Sequence, residues 1–190
     1  MADPLALLSA WLPGEPGVDG YVPEMSLATV GLDGFPDVRT VLLSRLSDAE
    51  LFFHTDSRSR KVAQLAAVPR AAVSITLAAD RRQIVVQGEV SPTDPDDLAE
   101  AYRRRSPYLR QLAWVNSPEI ADLGSEERAQ LWADFATTHP DDSLTPPPTW
   151  CGFRLRPVRV TFWQGVPDAP SHRVEYRYDG PRWWVVDLPG

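Results

Sequence analysis

The sequence predicts a mainly β domain of the α+β class, an antiparallel β core with helices inserted before its last strands. Three observations carry this reading. Short runs of β-branched and aromatic residues recur, separated by turn signals such as Asp33-Gly34 and Asp179-Gly180. Helical patterns gather in one block, residues 94–138. The strands after that block are too few to fold alone, so they complete the first sheet.

Taken in order, Leu5 to Trp11 is a short apolar helix that opens a Pro- and Gly-rich arm, residues 1–24. Residues 25–190 form a single domain. Met25–Val30 and Val38–Leu43 read as two strands of a hairpin, turned at Asp33-Gly34, and Leu51–His54 as a third. Ser57 or Ser59 caps a helix that runs to about Ala67, and Pro69 ends it. Ala71–Leu77 and Gln83–Val90 are strands joined by a polar turn. Asp94 caps a helix with Pro95 at its first position, running to about Arg105. Tyr108–Val115 is a second helix. A third starts at Ser125 and sets Leu131, Trp132 and Phe135 on one face. Asp141–Pro148 is a stiff connector. Cys151–Leu155, Arg159–Trp163, Val174–Tyr178 and Trp183–Leu188 close the chain as strands.

Bulk composition narrows the function. The chain has 190 residues, 43% of them hydrophobic and 24% charged, which suits one domain with a sizeable core. A net charge of -7 argues against general nucleic-acid binding, which needs a basic face. The lone Cys151 forbids an internal disulfide, so a reducing cytoplasm is expected. No signal peptide, membrane span or metal site is expected from the pattern.

Against that acidic background, one group of cations and hydroxyls stands out. Arg39 opens an apolar strand, and Thr55, Ser59, Arg60 and Lys61 surround the start of a helix. Arg offers a planar fork, Lys a point charge, and a helix N-terminus free N–H groups, all suited to a phosphate. Taken alone, Arg58, Arg60 and Lys61 equally describe a solvated helix start. Gln83 on its strand fits the polar edge of a ring or an ordinary exposed position. Trp163-Gln164-Gly165 fits a ligand contact or a core Trp at a strand end.

In order along the chain, these segments resemble the pyridoxamine 5'-phosphate oxidase family of FMN-binding split β-barrels. The resemblance runs from about Met25 to Pro189. It is carried by Ser26 to Val30, Asp33-Gly34, Arg39 to Leu43, Ser59-Arg60-Lys61, Pro69-Arg70-Ala71, Arg82-Gln83 and Ala113-Trp114, then by Pro148 to Arg154, Phe162 to Gly165 and the closing Asp187-Leu188-Pro189. It implies an FMN-dependent oxidoreductase that binds its cofactor at a homodimer interface. Arg39, Arg60 and Lys61 would hold the FMN phosphate with Thr55 and Ser59. Val41 and Leu42 would lie along the flavin ring, partly through their backbone, and Gln83 would bond its polar edge. Trp163 and Arg173 would approach from the other subunit. His54 stands where the family usually has Tyr and adds a titratable group.

The substrate half departs from the family. Its Arg-Leu-His-Asp-Arg signature reads Ala169-Pro170-Ser171-His172-Arg173, so only the last Arg matches. The family's Lys after the Arg-x-Val-Leu-Leu strand is Ser44. Tyr102 matches a substrate-phosphate Tyr, but the Arg that should follow is Ser106, and one residue is deleted before Gln111. The family's Gln-Ser pair is Pro118-Glu119. Arg103, Arg104, Arg105 and Arg110 crowd the same helices, as replacement ligands or as solvated charges. Tyr102, Arg110, Ser171 and His172 are the candidate substrate residues. The expected substrate is therefore a small amine or alcohol other than pyridoxine phosphate. Three alternatives stand beside it: a true pyridoxamine 5'-phosphate oxidase with a rebuilt pocket, a flavin-binding protein without catalysis, and a deazaflavin-dependent reductase.

Overall fold

The computed structural model describes residues 3–140 and 143–190. Asp141 and Asp142, at the head of the expected connector, lie outside the described residues. The strands are β1 (Glu24–Val30), β2 (Pro36–Leu42), β3 (Arg45–Leu46), β4 (Leu51–Asp56), β5 (Arg70–Leu77), β6 (Arg82–Pro92), β7 (Trp150–Gln164), β8 (His172–Tyr178) and β9 (Trp183–Leu188). The helices are α1 (Pro4–Trp11), α2 (Arg60–Ala67), α3 (Pro95–Arg103), α4 (Pro107–Val115), α5 (Pro118–Ala121) and α6 (Ser125–Thr138). All strand pairings are antiparallel, in the order β2-β1-β5-β6-β7-β4-β3, with β8 and β9 branching from β7. The expected antiparallel core with helices before the last strands is the fold observed.

Strand β7 organises the sheet. Its first half pairs with β4, from Asp56↔Trp150 to Leu51↔Leu155. Its second half pairs along the same side with β8, from Gln164↔His172 to Arg159↔Arg177. From Phe153 to Gln164, β7 lies against β6 on its other side. This corrects the sequence reading, which breaks β7 into two strands at Pro157. Proline cannot donate to a ladder, so it reads as a stop. Here a register shift at Gln87/Gly88 absorbs it. Gly88 is required at that shift, because a Cβ there would lie 2.1 Å from the Arg156 carbonyl oxygen. The sequence reading also misses β3 and α5, both too short to show a period.

The core forms where alternating strand positions turn inward. Met25 and Leu27 of β1, Val73 and Ile75 of β5, and Ile84 and Val86 of β6 are all essentially inaccessible. Helix α1 belongs to this core rather than to a separate arm. Leu5, Leu8 and Leu12 are buried, and the Trp11 ring meets Phe162 edge-on at 5.0 Å. Asp3 caps α1 by accepting from the Leu5 N–H at 3.0 Å. Among the described residues, no helix is long and apolar enough to cross a membrane.

Candidate functional site

A cavity of about 350 Å³ opens where the end of β4 and the start of α2 face α4 and α5. Thr55, Ser59 and Lys61 line one part of it; His54, Arg105 and Trp150 line another. Strand β4 delivers His54 and Thr55 as consecutive residues, and a tight turn closed by Ser59 N–H to Asp56 O at 3.0 Å starts α2. Ser59 stands at the N-cap of α2, but its side chain makes no cap. Its hydroxyl accepts from Lys61 Nζ at 2.6 Å instead, and Thr55 Oγ1 accepts from the same ammonium at 3.0 Å. Burial and the nearby Arg39 hold the Lys61 pKa below its ordinary value. An anion in the cavity would relieve both.

Arg39 and Arg60 lie elsewhere. Arg39 donates to the Leu27 carbonyl at 3.2 Å, to Thr29 Oγ1 at 2.6 Å and to Gln64 Oε1 at 2.8 Å, and it pairs with Asp37 at 2.7 Å. Arg60 is exposed and reaches the same Asp37 carboxylate at 3.3 Å. Gln64 Nε2 also donates to Asp37, at 3.0 Å. The bond from Gln64 and the two guanidinium charges lower the Asp37 pKa. Neither Arg39 nor Arg60 lines the cavity. Val41 is buried in the core and Leu42 half-buried, at the end of an edge strand whose outer backbone groups no strand uses. Any ligand contact from these two would run through the backbone.

His54 is buried, with Nδ1 3.0 Å from Ser44 Oγ and Nε2 without a hydrogen-bond partner among the described residues. Its ring stacks on Trp150 at 5.3 Å, with planes 7° apart. Burial, with the charges of Arg105 and Arg45, depresses its pKa to about 3, so the imidazole is neutral near pH 7. Beside it, burial raises the Cys151 thiol to about 11, and its sulfur donates to the Thr55 carbonyl at 3.4 Å. A thiol so placed is no nucleophile near neutrality.

Gln83, Trp163 and Arg173 gather in a second cavity, at the other end of β7. Register sets Gln83 opposite Trp163, and Trp163 opposite Arg173. Ser171 and His172 lie beside them at the start of β8. His172 is exposed, with Nε2 3.7 Å from Asp187. Tyr102 is fully buried: its hydroxyl donates to the Arg110 carbonyl at 2.9 Å, and Trp114 Nε1 lies 3.1 Å from it. Neither Tyr102 nor Arg110 lines either cavity. Ser106 is a helix cap, accepting from Leu109 N–H at 3.4 Å. Of the arginines crowding these helices, Arg105 is the one in the first cavity. Sequence reasoning missed the tie of Asp37 to Arg39, although period-two spacing puts both on one face of β2. It gave Trp150 no role, and no local signal would have.

A family model for pyridoxamine 5'-phosphate oxidase matches residues 22–139, and one for the pyridoxine 5'-phosphate oxidase C-terminal dimerisation region matches residues 150–188. The pyridoxine/pyridoxamine 5'-phosphate oxidase of Thermosynechococcus vestitus is 35% identical over 190 residues, covering 98% of this chain and 88% of its own. That of Azorhizobium caulinodans is 37% identical over 183 residues, covering 94% and 85%. Among solved structures, PhzG from Burkholderia lata 383, in complex with tetrahydrophenazine-1-carboxylic acid, gives a TM-score of 0.84 at 24% identity, covering 100% of this chain and 94% of its own. A pyridoxamine 5'-phosphate oxidase-related, FMN-binding protein from Nostoc punctiforme gives 0.69 at 24% identity, covering 88% and 87%. These two likenesses describe the fold.

Proposed function

Because the chain belongs to the pyridoxamine 5'-phosphate oxidase family, we propose that it is an FMN-dependent oxidoreductase that works as a homodimer. The observation that carries this is the division of the site within one chain. Thr55, Ser59 and Lys61 stand near one end of β7, and Gln83, Trp163 and Arg173 near the other. Fifteen residues of strand, at roughly 3.3 Å each, run about 50 Å along the chain. One small cofactor does not reach both groups in one chain. Two chains packed through the C-terminal region, which matches a dimerisation-region family model, would bring one group of each together. Gln83 then comes from the same subunit as Trp163 and Arg173.

The donor set fits FMN. Lys61 would hold the phosphate with Thr55 and Ser59, which already bond its ammonium. Arg39 and Arg60 would act at longer range, tied to Asp37. Gln83 would accept or donate at a polar ring edge, and Trp163 would cover an apolar face. The chemistry that bound FMN supplies is acceptance of a hydride equivalent from a carbon–hydrogen bond beside an amine or alcohol. The chain's own groups bind, orient and exclude water; none is needed as an acid or base.

The substrate is a small amine or alcohol distinct from pyridoxine phosphate. Ser44 is turned to His54, Ser106 caps α4, and Tyr102 is packed away, so three positions of the family's substrate set serve local structure. The second reading, a true pyridoxamine 5'-phosphate oxidase, is favoured by 35–37% identity to proteins of that name over nearly the whole chain and by Arg105 in the cavity. One experiment separates them. The purified protein should be yellow with flavin bands, and its flavin should bleach anaerobically with a member of an amine and alcohol panel. A colourless protein that takes up no FMN overturns the cofactor assignment. Rapid formation of pyridoxal phosphate overturns the altered substrate and leaves the second reading.

A further inference from the structure

Arg105 is a cation that its surroundings leave unneutralised. It follows α3, where its N–H donates to the Tyr102 carbonyl at 3.1 Å. Its guanidinium lies 4.4 Å from the centre of the Trp150 ring. Trp150 is itself fixed: Nε1 donates to the Leu98 carbonyl at 3.2 Å, and its ring stacks on His54. Arg105, Trp150 and His54 thus form a shelf in which the guanidinium sits over an aromatic face. A guanidinium seated over a ring keeps N–H groups for a further partner.

Among the described residues, no carboxylate supplies that partner. Among the described residues, Arg105 has no ion pair, and burial lowers its pKa to about 10. The cavity's own carboxylate, Asp56, is taken by Arg58 at 2.7 Å. His54 is neutral near pH 7 and offers no charge. Lys61, from α2, is bonded only to hydroxyls. The fixed charge of the cavity is therefore positive, from two cations on separate elements, and water is partly excluded from both. Desolvated cations without ion pairs favour a bound anion.

We propose that Arg105 is an oxyanion-binding residue of this cavity, a second cationic pole beside Lys61 that takes a phosphate- or carboxylate-type group through its N–H edge. The oxyanion comes either from the cofactor's phosphate or from the substrate's own anionic group. Only the first source rests on the reading of the cavity as a flavin site.

The test uses the full chain as wild type, Arg105→Gln and Arg105→Lys. FMN and riboflavin, which differ by the phosphate, are titrated into flavin-free protein, and inorganic phosphate into flavin-free protein and holoprotein by calorimetry and flavin absorbance. If Arg105 holds the cofactor phosphate, Arg105→Gln weakens FMN about ten- to hundredfold and leaves riboflavin unchanged. If it holds the substrate's oxyanion, FMN affinity is unchanged and inorganic phosphate binding falls by a similar factor. Arg105→Lys keeps charge without the fork and should lie between wild type and Arg105→Gln. It decides the question should Arg105→Gln fail to fold. Variants that melt like wild type and bind FMN and inorganic phosphate equally well overturn the proposal and reduce Arg105 to a stacking partner of Trp150. Wild-type protein that never binds FMN overturns the cofactor reading instead, while the phosphate titration still decides Arg105.

Discussion

The Asp37 carboxylate holds the Arg39 guanidinium at 2.7 Å, on the same face of β2. The cation that the sequence assigns to a phosphate is therefore already engaged. It ties β1, through Leu27 and Thr29, to α2 through Gln64. Arg39 thus fixes the helix that carries Lys61.

Removing Arg39 should accordingly cost stability before it costs affinity. Thr29 and Gln64 are buried, and Arg39→Ala removes one bond from each, leaving Thr29 Oγ1 donating to Gln64 Oε1 at 2.6 Å and the Asp37 carboxylate without its nearest cation. We expect a loss of about 2–4 kcal/mol in urea denaturation of flavin-free protein. Wild-type stability with weakened FMN binding would instead make Arg39 a direct phosphate ligand.

Lys61 and Arg60 should separate in their effect on FMN. Lys61 lines the cavity, while Arg60 is 85% exposed and reaches Asp37. Lys61→Ala removes a charge-assisted contact and should raise the FMN dissociation constant about ten- to hundredfold by flavin fluorescence titration. Arg60→Ala should change it by less than about threefold, as exposed charges do. Equal losses would show that Arg60 turns to the phosphate.

Division of the site across two chains predicts complementation. Lys61→Ala and Trp163→Ala chains should each bind flavin poorly as homodimers. Co-expressed, they should form a mixed dimer with one intact site and one doubly defective site. Flavin content of the isolated mixed dimer should approach half that of wild type. Content no higher than in the homodimers would place both groups in the same site of one chain.

His54 makes stability depend on acid. Its folded pKa, about 3, lies below the unfolded value near 6.5. Between those values the unfolded chain binds the proton and the folded chain does not. The stability associated with neutral His54 is fully present above about pH 6.5 and is lost as pH falls toward 3. The slope is at most about 1.4 kcal/mol per pH unit. His54→Phe should flatten the dependence of the urea midpoint over that range. An unchanged slope would mean that other groups govern acid unfolding.

Gly88→Ala should be among the most damaging single-methyl additions. Its Cβ would meet the Arg156 carbonyl oxygen at 2.1 Å and the Leu155 side chain at 2.9 Å. We expect a loss of about 3 kcal/mol or more, read as a large fall in melting temperature. A melting temperature within a few degrees of wild type would show that the β6–β7 register shift yields at little cost.

The order of elements was largely legible because period and turn chemistry are local. Asp33-Gly34 turns the β1–β2 hairpin, with Gly34 at φ 87°, and Asp179-Gly180 turns β8 into β9, with Gly180 at φ 97°. Residues that bring their own partners were legible too: Thr55, Ser59 and Lys61 are close in sequence and converge in space. Pro157 misled because the register shift that tolerates it, which leaves Val158 of β7 without a partner on β6, exists only where the two strands pair. Asp37 had a local signal, two residues from Arg39 on one face of β2, but the bonds that Gln64 of α2 makes to both depend on tertiary structure.

The sequence by itself determined an antiparallel core with a helical insertion, and it collected Thr55, Ser59 and Lys61, which line one cavity. Tertiary structure alone decided which cations face the cavity. Arg39 and Arg60 were drawn to Asp37, whereas Lys61 and Arg105 have no ion pair among the described residues. The reason is that residue type and spacing fix what a side chain can bind, while its actual partner depends on which elements the sheet brings together.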